Sequence, residues 1–413
     1  MAPLVLVGAA CQAQVSLFPG NDWDSLNDAG EKAYERQQYA ASERFLNNAL
    51  EAAKHFGKDD LRVATTLNDL GLLYRAQGRM KEAEADYRQS LAIREKKLGP
   101  RDLQVAASLN NLAGLLAADG RYTEADRLYR RCLAIRVASL GHDRPEVATV
   151  LNNQAAMYAT QEKYAQSALL FKQALDIREC TLGPTHPQVA NALNNLAGVY
   201  TDEEKYNLAE PLYQRAISID EKTQGPEQTA LTMDLSNLAA MYFREQKYDA
   251  AVPLYRRALD IRDKTLGPDH PLTGVAAQNL AGAYRAQKKY DDAQTMYVRA
   301  LGIFEQSLGK DGPEVGSVLD DYSSMYFEQG KYSDAEPLYA RLVAIEEKVF
   351  GPEGPILAQT LPKYAEVERK LGHTAEADQF DARAKEIAAR NAPKPKPSVT
   401  KAAGVKPAVA KAP

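Results

Sequence analysis

Cysteine is scarce in this sequence, with only Cys11, Cys132 and Cys180 among 413 residues. The three form no CxxC pair, and Cys132 and Cys180 fall at different positions of the repeat described below. Such spacing indicates neither a disulfide nor a metal site. We therefore predict no bound metal, and we expect Cys132 and Cys180 to be small buried hydrophobic residues.

Catalytic sequence motifs are missing as well. GxSxG, HExxH, P-loop and GxGxxG patterns do not occur in the chain, and these patterns mark nucleophile elbows, zinc proteases and nucleotide-binding loops. The sequence thus indicates no catalytic residues and no cofactor, and we expect a protein that is not an enzyme.

Long hydrophobic runs and clustered positive charge are also lacking. No stretch of 18 or more apolar residues occurs, so we predict no transmembrane segment. The net charge is −4, and residues 391–413 carry five lysines and no acid, which leaves −9 on the remainder. An acidic body disfavours nucleic acid as a partner, and the Lys-, Pro- and Ala-rich segment 391–413 is predicted to be a disordered tail.

Residues 1–21 form a signal-like or disordered N-terminus. A short apolar run precedes small residues, as at the end of a signal peptide, although a basic start is missing. Cys11 follows Gly8, Ala9 and Ala10 like a degenerate lipobox, so a lipid anchor at Cys11 is one expectation and cleavage after Ala13 another. We predict a periplasmic or secreted protein, which a lipid on Cys11 would make a lipoprotein. A cytoplasmic location is the alternative.

The dominant feature is an internal repeat of 42 residues. Glycines recur at this interval at positions 57, 99, 141, 183, 225, 267, 309 and 351. Within each unit, apolar and small residues such as Leu109, Leu112, Ala113 and Leu116 are spaced by three and four, which is helical periodicity, and the pattern occurs twice per unit. Because a single helix pair cannot bury its apolar stripe, the units must stack. The sequence predicts an all-α solenoid of about nine helix pairs over residues 22–390.

Helix starts and stops are also marked chemically. Prolines are expected to begin the first helix of a pair, and the periodic glycine to end the second helix in a left-handed conformation. One polar position is expected to cap the second helix, with proline four residues later in its first turn. The expected first-helix prolines are Pro145, Pro187, Pro271, Pro313 and Pro355, the expected caps are Thr123, Asn207, Asp249, Asp291 and Ser333, and the first-turn prolines are Pro211, Pro253 and Pro337.

Residues 58–360 closely resemble the tetratricopeptide repeats of kinesin light chains. The shared features are the LNNLA start of the first helix, the AExLYxRALxIRExxLG second helix and linkers such as GPTHP at 183–187. The resemblance implies a right-handed superhelical solenoid whose first helices line a concave groove for extended peptides. No heptad-repeat region precedes the repeats in this sequence, so transport by a kinesin is not implied. The sequence looks more like a bacterial relative built from the same repeat.

An asparagine ladder on the first helices is the main candidate for a binding site. By resemblance, Asn111, Asn153, Asn195, Asn237 and Asn279 face the groove, where a carboxamide can both donate to and accept from a peptide backbone. The alternative is that these amides bond to neighbouring helices and hold the stack in register. Small residues three positions further along, such as Gly114, Gly198 and Gly282, would keep the groove floor open, or would serve tight helix packing.

Specificity is expected from residues that vary on the same face. The candidates are Arg75, Arg244 and Arg285, with Phe243 and Phe327 as apolar anchors, because arginine and aromatic residues carry much of the energy of interfaces. A lysine-bearing clamp for a terminal carboxylate is not evident. The tyrosines at 122, 164, 206, 248, 290 and 332 recur at one repeat position and are expected in the core rather than in base stacking.

These observations predict a non-catalytic scaffold that binds an extended peptide segment of a protein partner in the groove. The alternatives are a regulatory or recruiting subunit of an enzyme complex and a cytoplasmic adaptor.

Overall fold

A computed structural model describes residues 22–223 and 229–391 of the chain. Within these ranges the chain is all-α, and its helices follow one another in consecutive pairs. The predicted all-α solenoid of helix pairs is thereby confirmed. The signal-like segment with Cys11, the periodic glycine at 225 and the tail beyond residue 391 lie outside the described residues. The last helix ends at Asn391, one residue later than expected.

The chain divides into two compact units, unit 1 at residues 1–226 and unit 2 at residues 227–413. The helices of unit 1 are α1 (Trp23–Glu35), α2 (Tyr39–Lys54), α3 (Leu61–Ala76), α4 (Met80–Leu98), α5 (Leu103–Ala118), α6 (Tyr122–Leu140), α7 (Pro145–Ala159), α8 (Tyr164–Leu182), α9 (Pro187–Asp202) and α10 (Tyr206–Thr223). The helices of unit 2 are α11 (Thr229–Arg244), α12 (Tyr248–Thr265), α13 (Pro271–Ala286), α14 (Tyr290–Leu308), α15 (Pro313–Glu328), α16 (Tyr332–Phe350), α17 (Leu357–Leu371) and α18 (Thr374–Asn391). Odd-numbered helices are the first helices of their pairs.

Most first helices begin with a side-chain cap or with proline. Asp60 and Asp102 each accept a hydrogen bond from the backbone N–H two residues ahead, at 3.0 and 2.7 Å. His186 and His270 occupy the same repeat position, and Nδ1 of each accepts the equivalent N–H at 3.1 Å. Such bonds satisfy one of the four N–H groups that a helix start leaves unpaired.

Four of the five expected proline starts are confirmed, since α7, α9, α13 and α15 each begin at proline. The expectation for Pro355 is wrong, because α17 begins two residues later, at Leu357.

The predicted caps of the second helices are also wrong. Helices α6, α10, α12, α14 and α16 each begin one residue earlier, at tyrosine, so the five expected caps are instead the second residues of their helices. The residue before the tyrosine, for example Arg121 or Lys247, makes no side-chain cap bond. Pro211, Pro253 and Pro337 consequently lie in the second turn, and the helices continue through them.

A tight turn between the two helices of a pair explains this shift. Gly120 ends α5 at φ +76°, and the N–H of Arg121 bonds the carbonyl of Leu116 at 2.8 Å, which is the arrangement of a Schellman turn. Glu162 and Gln246 hold the same repeat position at φ +57° and +62°. The second helix begins two residues after this turn, and the residue between makes no side-chain cap bond.

The periodic glycines have the positive φ that was predicted, but a different ψ. Gly99, Gly141, Gly183, Gly309 and Gly351 combine φ of 82° to 92° with ψ of 155° to 169°. This extended region is open essentially to glycine alone, and it is not the left-handed helical region that was expected. The chain therefore turns sharply into each linker, which fixes glycine at this position.

The two helices of a pair pack through tyrosines and small residues. A Cβ at Gly71 would lie 2.7 Å from the ring of Tyr87, which is fully buried. Tyrosines 122, 164, 206, 248, 290 and 332 are half-buried, and Tyr122, Tyr164, Tyr290 and Tyr332 pack against the hydrophobic core as expected. Cys132 is buried as expected, whereas Cys180 is exposed.

Neighbouring pairs are joined on the second helices by a recurring arginine. Arg131 pairs with Glu95 at 2.5 Å and donates to the carbonyl of Pro100 at 3.1 Å, 36 and 31 residues back. The same two bonds recur at Arg215, Arg341 and Arg383. Each ion pair is partly exposed and contributes little alone, but the same contact recurs between several neighbouring helix pairs.

Candidate functional site

Asparagine side chains on the first helices of unit 1 bond to one another across neighbouring pairs. The Nδ2 to Oδ1 distances are 2.9 Å for Asn111 to Asn68, 3.1 Å for Asn153 to Asn110 and 2.9 Å for Asn195 to Asn152. The partners are always 43 residues apart, so these bonds join α3 to α5, α5 to α7 and α7 to α9. The amides are partly or fully exposed, and each Nδ2 has a second hydrogen for another acceptor.

Three of the equivalent ladder positions in unit 2 carry charges, namely Asp320, Asp321 and Lys363. Gln278 Nε2 donates to Asp321 Oδ2 at 2.8 Å, and Lys363 Nζ donates to Asp320 Oδ1 at 2.8 Å, again over 43 residues. Asn279 is half-buried on α13. Asn237 and Arg244 lie on α11, where Asn237 is half-buried and Arg244 is exposed as the last residue of the helix.

A cleft in unit 1 brings Arg75 together with Asn111 and Asn153. It has a volume of about 280 Å³, and its other lining residues are Asn110, Gly114, Ala117, Ala118, Tyr129, Ala156, Met157 and Thr160. We call it the Arg75 cleft. The Nη1 atom of Arg75 and the hydroxyl of Tyr129 each lie 3.4 Å from the position that a Cβ at residue 114 would take. Burial raises the pKa of Tyr129 to about 12, although the charge of Arg75 works against this.

A corresponding cleft in unit 2 surrounds Arg285. It has a volume of about 340 Å³ and is lined by Arg285, Ser324, Phe327, Glu328, Tyr339, Lys363 and Glu366. We call it the Arg285 cleft. Arg285 donates through Nε and Nη2 to the two carboxylate oxygens of Glu328, at 3.0 and 2.6 Å, and through Nη1 to the backbone carbonyl of Asp321 at 3.1 Å. Burial of the Arg285 guanidinium lowers its pKa, but the hydrogen bond and charge of Glu328 outweigh burial and raise the pKa of Arg285.

The largest of these openings lies beside Gly282 in unit 2. This Gly282 cleft has a volume of about 630 Å³ and is lined by Phe243, Tyr248, Gly282, Arg285, Ala286, Lys288, Tyr290, Tyr297, Asp321 and Glu328. Phe243 and Tyr248 meet edge to face with ring centroids 5.2 Å apart. A Cβ added at Gly282 would have no atom within 4 Å. Open space, rather than tight helix packing, therefore surrounds this glycine.

Sequence reasoning missed the tyrosine hydroxyls at these clefts. The rings of Tyr129, Tyr297 and Tyr339 are buried, but all three residues line a cleft. Ser324 Oγ lies 3.3 Å from the hydroxyl of Tyr339. A usable signal was the pairing of Gly114 with Tyr129, Gly282 with Tyr297 and Ser324 with Tyr339 at the same two repeat positions.

The clefts bring together some of the predicted site residues and not others. Arg75, Asn111 and Asn153 share one cleft, Arg285 and Phe243 share another, and Phe327 lies with Arg285 in the third. In the described part of the chain, no group of three or more His, Cys, Asp or Glu residues could hold a metal ion. Nor is any described helix long and apolar enough to cross a membrane.

Comparison with known proteins identifies the repeat. The tetratricopeptide repeat model matches residues 25–96, 104–180, 180–222, 228–306, 276–348 and 314–390. The chain belongs to the tetratricopeptide repeat family. Repeats of this family imply a protein–protein interaction scaffold, and the fold is typically non-catalytic. No curated protein matches the chain.

Several solved structures are similar to this chain at low sequence identity. The apo form of RapI is 15% identical, with a TM-score of 0.51 over 69% of this chain and 98% of that one. BtubC (BKLC) from P. vanneervenii is 23% identical, with a TM-score of 0.49 over 63% and 99%. A putative kinesin light chain of Podospora anserina with nearly identical TPR-like repeats is 24% identical, with a TM-score of 0.46 over 51% and 97%. At these identities the similarity to RapI supports the fold alone.

Proposed function

We propose that this protein is a non-catalytic scaffold that binds an extended peptide segment of a protein partner along the first-helix face. The Gly282 cleft is the observation that carries the proposal. Its volume of about 630 Å³ lies within the range of ligand sites in proteins. It combines aromatic rings with hydroxyl and charged groups, which suits a peptide with one large side chain and a polar backbone.

The asparagine amides of unit 1, in which each Nδ2 makes one hydrogen bond to a neighbouring asparagine, support the same proposal. A peptide laid along α5, α7 and α9 would meet Asn111, Asn153 and Asn195, whose amides already bond once across the stack. The remaining Nδ2 hydrogens can donate to peptide carbonyls without breaking those bonds. In this proposal the ladder has a mixed role, structural between helices and binding towards the peptide.

A pair of glycines provides a matched test. Gly282 and Gly302 both lie inside helices, and a Cβ at either would have no atom within 4 Å, but Gly302 is exposed on the second helix α14. The full chain would be used to select peptides from a displayed library of random 12-residue sequences. We expect Gly282→Leu to weaken the selected peptides at least about tenfold by filling the cleft, and Gly302→Leu to leave their Kd unchanged. Equal affinities for the two variants, or no selected peptide, would contradict the proposal.

A periplasmic or secreted location, with a possible lipid on Cys11, belongs to the same proposal. The support is the apolar run followed by small residues at 1–21. Intact mass of the protein from its own host tests it. A chain cleaved before Cys11 and carrying lipid supports an anchored scaffold, whereas an uncleaved cytosolic chain favours an adaptor.

A further inference from the structure

One position of the second helices carries an arginine that reaches the next helix pair. The arginines at this position are Arg94, Arg136, Arg178 and Arg262, and each donates to the backbone carbonyl ten residues further along the chain, at the start of the following first helix. Arg94 also donates to Ser108 Oγ at 2.8 Å, fourteen residues on. The arginine thus joins a second helix to the first helix of the next pair.

Glu346 puts an acid at the same repeat position, where α16 meets α17. The residue is only 7% exposed, and its Oε1 accepts a hydrogen bond from Thr360 Oγ1 at 2.9 Å, again fourteen residues on. Its Oε2 is buried and has no hydrogen-bond partner in the described part of the chain. A buried carboxylate with a single hydroxyl donor is less stable than one in water, so this junction favours the neutral acid.

The charges that act on Glu346 from neighbouring helices do not reverse this preference. Asp320 comes from α15 and Lys363 from α17, and these two are paired with each other, with Nζ 2.8 Å from Oδ1. Burial raises the pKa of Glu346, and the charge of Asp320 adds to this effect. The hydrogen bond from Thr360 and the charge of Lys363 lower the pKa of Glu346, but burial outweighs them.

The last helix pair contains a second titrating contact, at the turn between α17 and α18. His373 Nδ1 lies 2.6 Å from Oε2 of Glu368, whose side chain is 5% exposed. The hydrogen bond and the charge of Glu368 raise the pKa of His373. On the side facing α16, Arg383 of α18 pairs with Glu347 at 2.5 Å. Because protonation of His373 also strengthens this helix pair, a test of Glu346 has to separate the two groups.

We propose that Glu346 makes the docking of the last helix pair pH dependent, with α17 held against α16 while the Glu346 carboxyl is protonated and released in part when it ionises. The folded pKa of Glu346 is raised above the ordinary glutamate value of about 4.3. Stabilisation by this group is therefore complete below that value and is lost as the pH rises through the folded pKa. The last pair of a stacked array packs on one neighbour only, so a weaker junction appears as local opening.

Loosening of α17 would also change the Arg285 cleft. Lys363 and Glu366, both on α17, line that cleft together with Tyr339 of α16. Glu346 thereby couples the shape of the cleft to pH. The inference does not depend on peptide binding, since docking of the helix pair is measured without a partner.

Hydrogen exchange of backbone amides in the full chain, followed by mass spectrometry, measures this docking. Wild type and Glu346→Gln are compared at equal pH, which removes the intrinsic pH dependence of exchange and the contribution of His373, because both proteins share them. We expect the amides of residues 357–391 to exchange at similar rates in the two proteins at pH 4. At pH 8 we expect exchange at least about threefold faster in wild type. The amides of α5 and α6 in unit 1 serve as the internal reference and should not differ.

Two further variants make the result decisive. Glu366→Gln is the matched control, because Glu366 is an exposed acid on α17 itself, and it should exchange like wild type at every pH. Glu346→Arg restores the residue of the equivalent position and should show the same pH dependence as Glu346→Gln, which keeps the test valid if the glutamine variant folds poorly. A ratio of wild-type to variant rates that does not rise between pH 4 and pH 8, or that rises equally for Glu366→Gln, would overturn the inference.

Discussion

The clefts around Arg75 and Arg285 differ although the repeat gives them the same backbone. In unit 2 the charged groups at this position are paired within the protein, with Glu328 on Arg285 and Lys363 on Asp320. In unit 1 the corresponding positions hold alanine and asparagine. The comparison teaches that a repeat protein can pair an arginine internally, or leave it without an acidic partner, by changing one residue on the next first helix, because residues 43 apart face each other.

The largest expected effect on stability is at Gly71 of unit 1, which packs against another side chain. Gly282 of unit 2, in contrast, faces open space. Gly71→Ala places a methyl group 2.7 Å from the buried ring of Tyr87, so we expect a loss of about 1–3 kcal/mol in the free energy of unfolding. Urea denaturation measures it. An unchanged midpoint would mean that the Tyr87 ring moves aside without cost.

A half-buried acid in unit 1, Asp86, should cost stability at neutral pH. Asp86 lies where the other second helices from α6 to α16 have Leu or Met, such as Leu128 and Met296. Burial, and then the neighbouring charge of Glu82, raise the pKa of Asp86 to about 6. Because the folded pKa exceeds the unfolded one, stability associated with Asp86 is present below pH 4 and is lost as the pH rises through about 6.

We therefore expect Asp86→Leu to stabilise the protein by about 1–2 kcal/mol at pH 8, a figure reduced for the partial exposure of the group. Chemical denaturation of both proteins at pH 8 and at pH 4 measures the change, and Asp86→Asn separates loss of charge from gain of apolar packing. If the difference in free energy of unfolding between wild type and Asp86→Leu is the same at both pH values, the raised pKa of Asp86 is contradicted.

The amide ladder offers a comparison at one repeat position. Asn153→Ala removes a hydrogen bond to Asn110, and we expect a loss of about 0.5–1.5 kcal/mol. Asn279→Ala, at the equivalent position of unit 2, is the control and should cost less. If both variants keep their stability but lose the selected peptides, the ladder serves binding alone, and its structural role is wrong.

The smallest effect is expected at the two glycines used to test binding. Gly282→Ala and Gly302→Ala should each stabilise their helix by about 0.5–1 kcal/mol, because glycine loses more conformational freedom on folding than alanine. Thermal unfolding measures both. A destabilised Gly282→Ala would show that the cleft floor is in contact with other atoms.

Much of the fold could be predicted from the spacing of residues. The 42-residue period, two helices per unit and the proline starts of α7, α9, α13 and α15 follow from local rules. The starts of the second helices could not be predicted, because they depend on a turn that places Glu162 or Gln246 at positive φ. Glycine at 78, 120 and 330 indicates that conformation, but the glutamate and glutamine that replace it at 162 and 246 do not.

The candidate site was predicted only in part. Arg75, Arg285, Phe243 and Phe327 were selected by type and face, and all four line clefts. The hydroxyls of Tyr129 and Tyr339 were missed because buried rings were assigned to the core as a whole. The pairing of the asparagine amides with one another could not be predicted either, because it depends on how neighbouring first helices stack.

The sequence by itself determined the repeat, the helix pairs and the glycine turns, because each depends on contacts within a few residues of chain. Only the tertiary structure decided that Glu328 neutralises Arg285 while Arg75 has no acidic partner among the described residues. Those contacts join residues 43 apart on adjacent first helices. Their geometry is set by how one pair packs against the next, which no local pattern specifies.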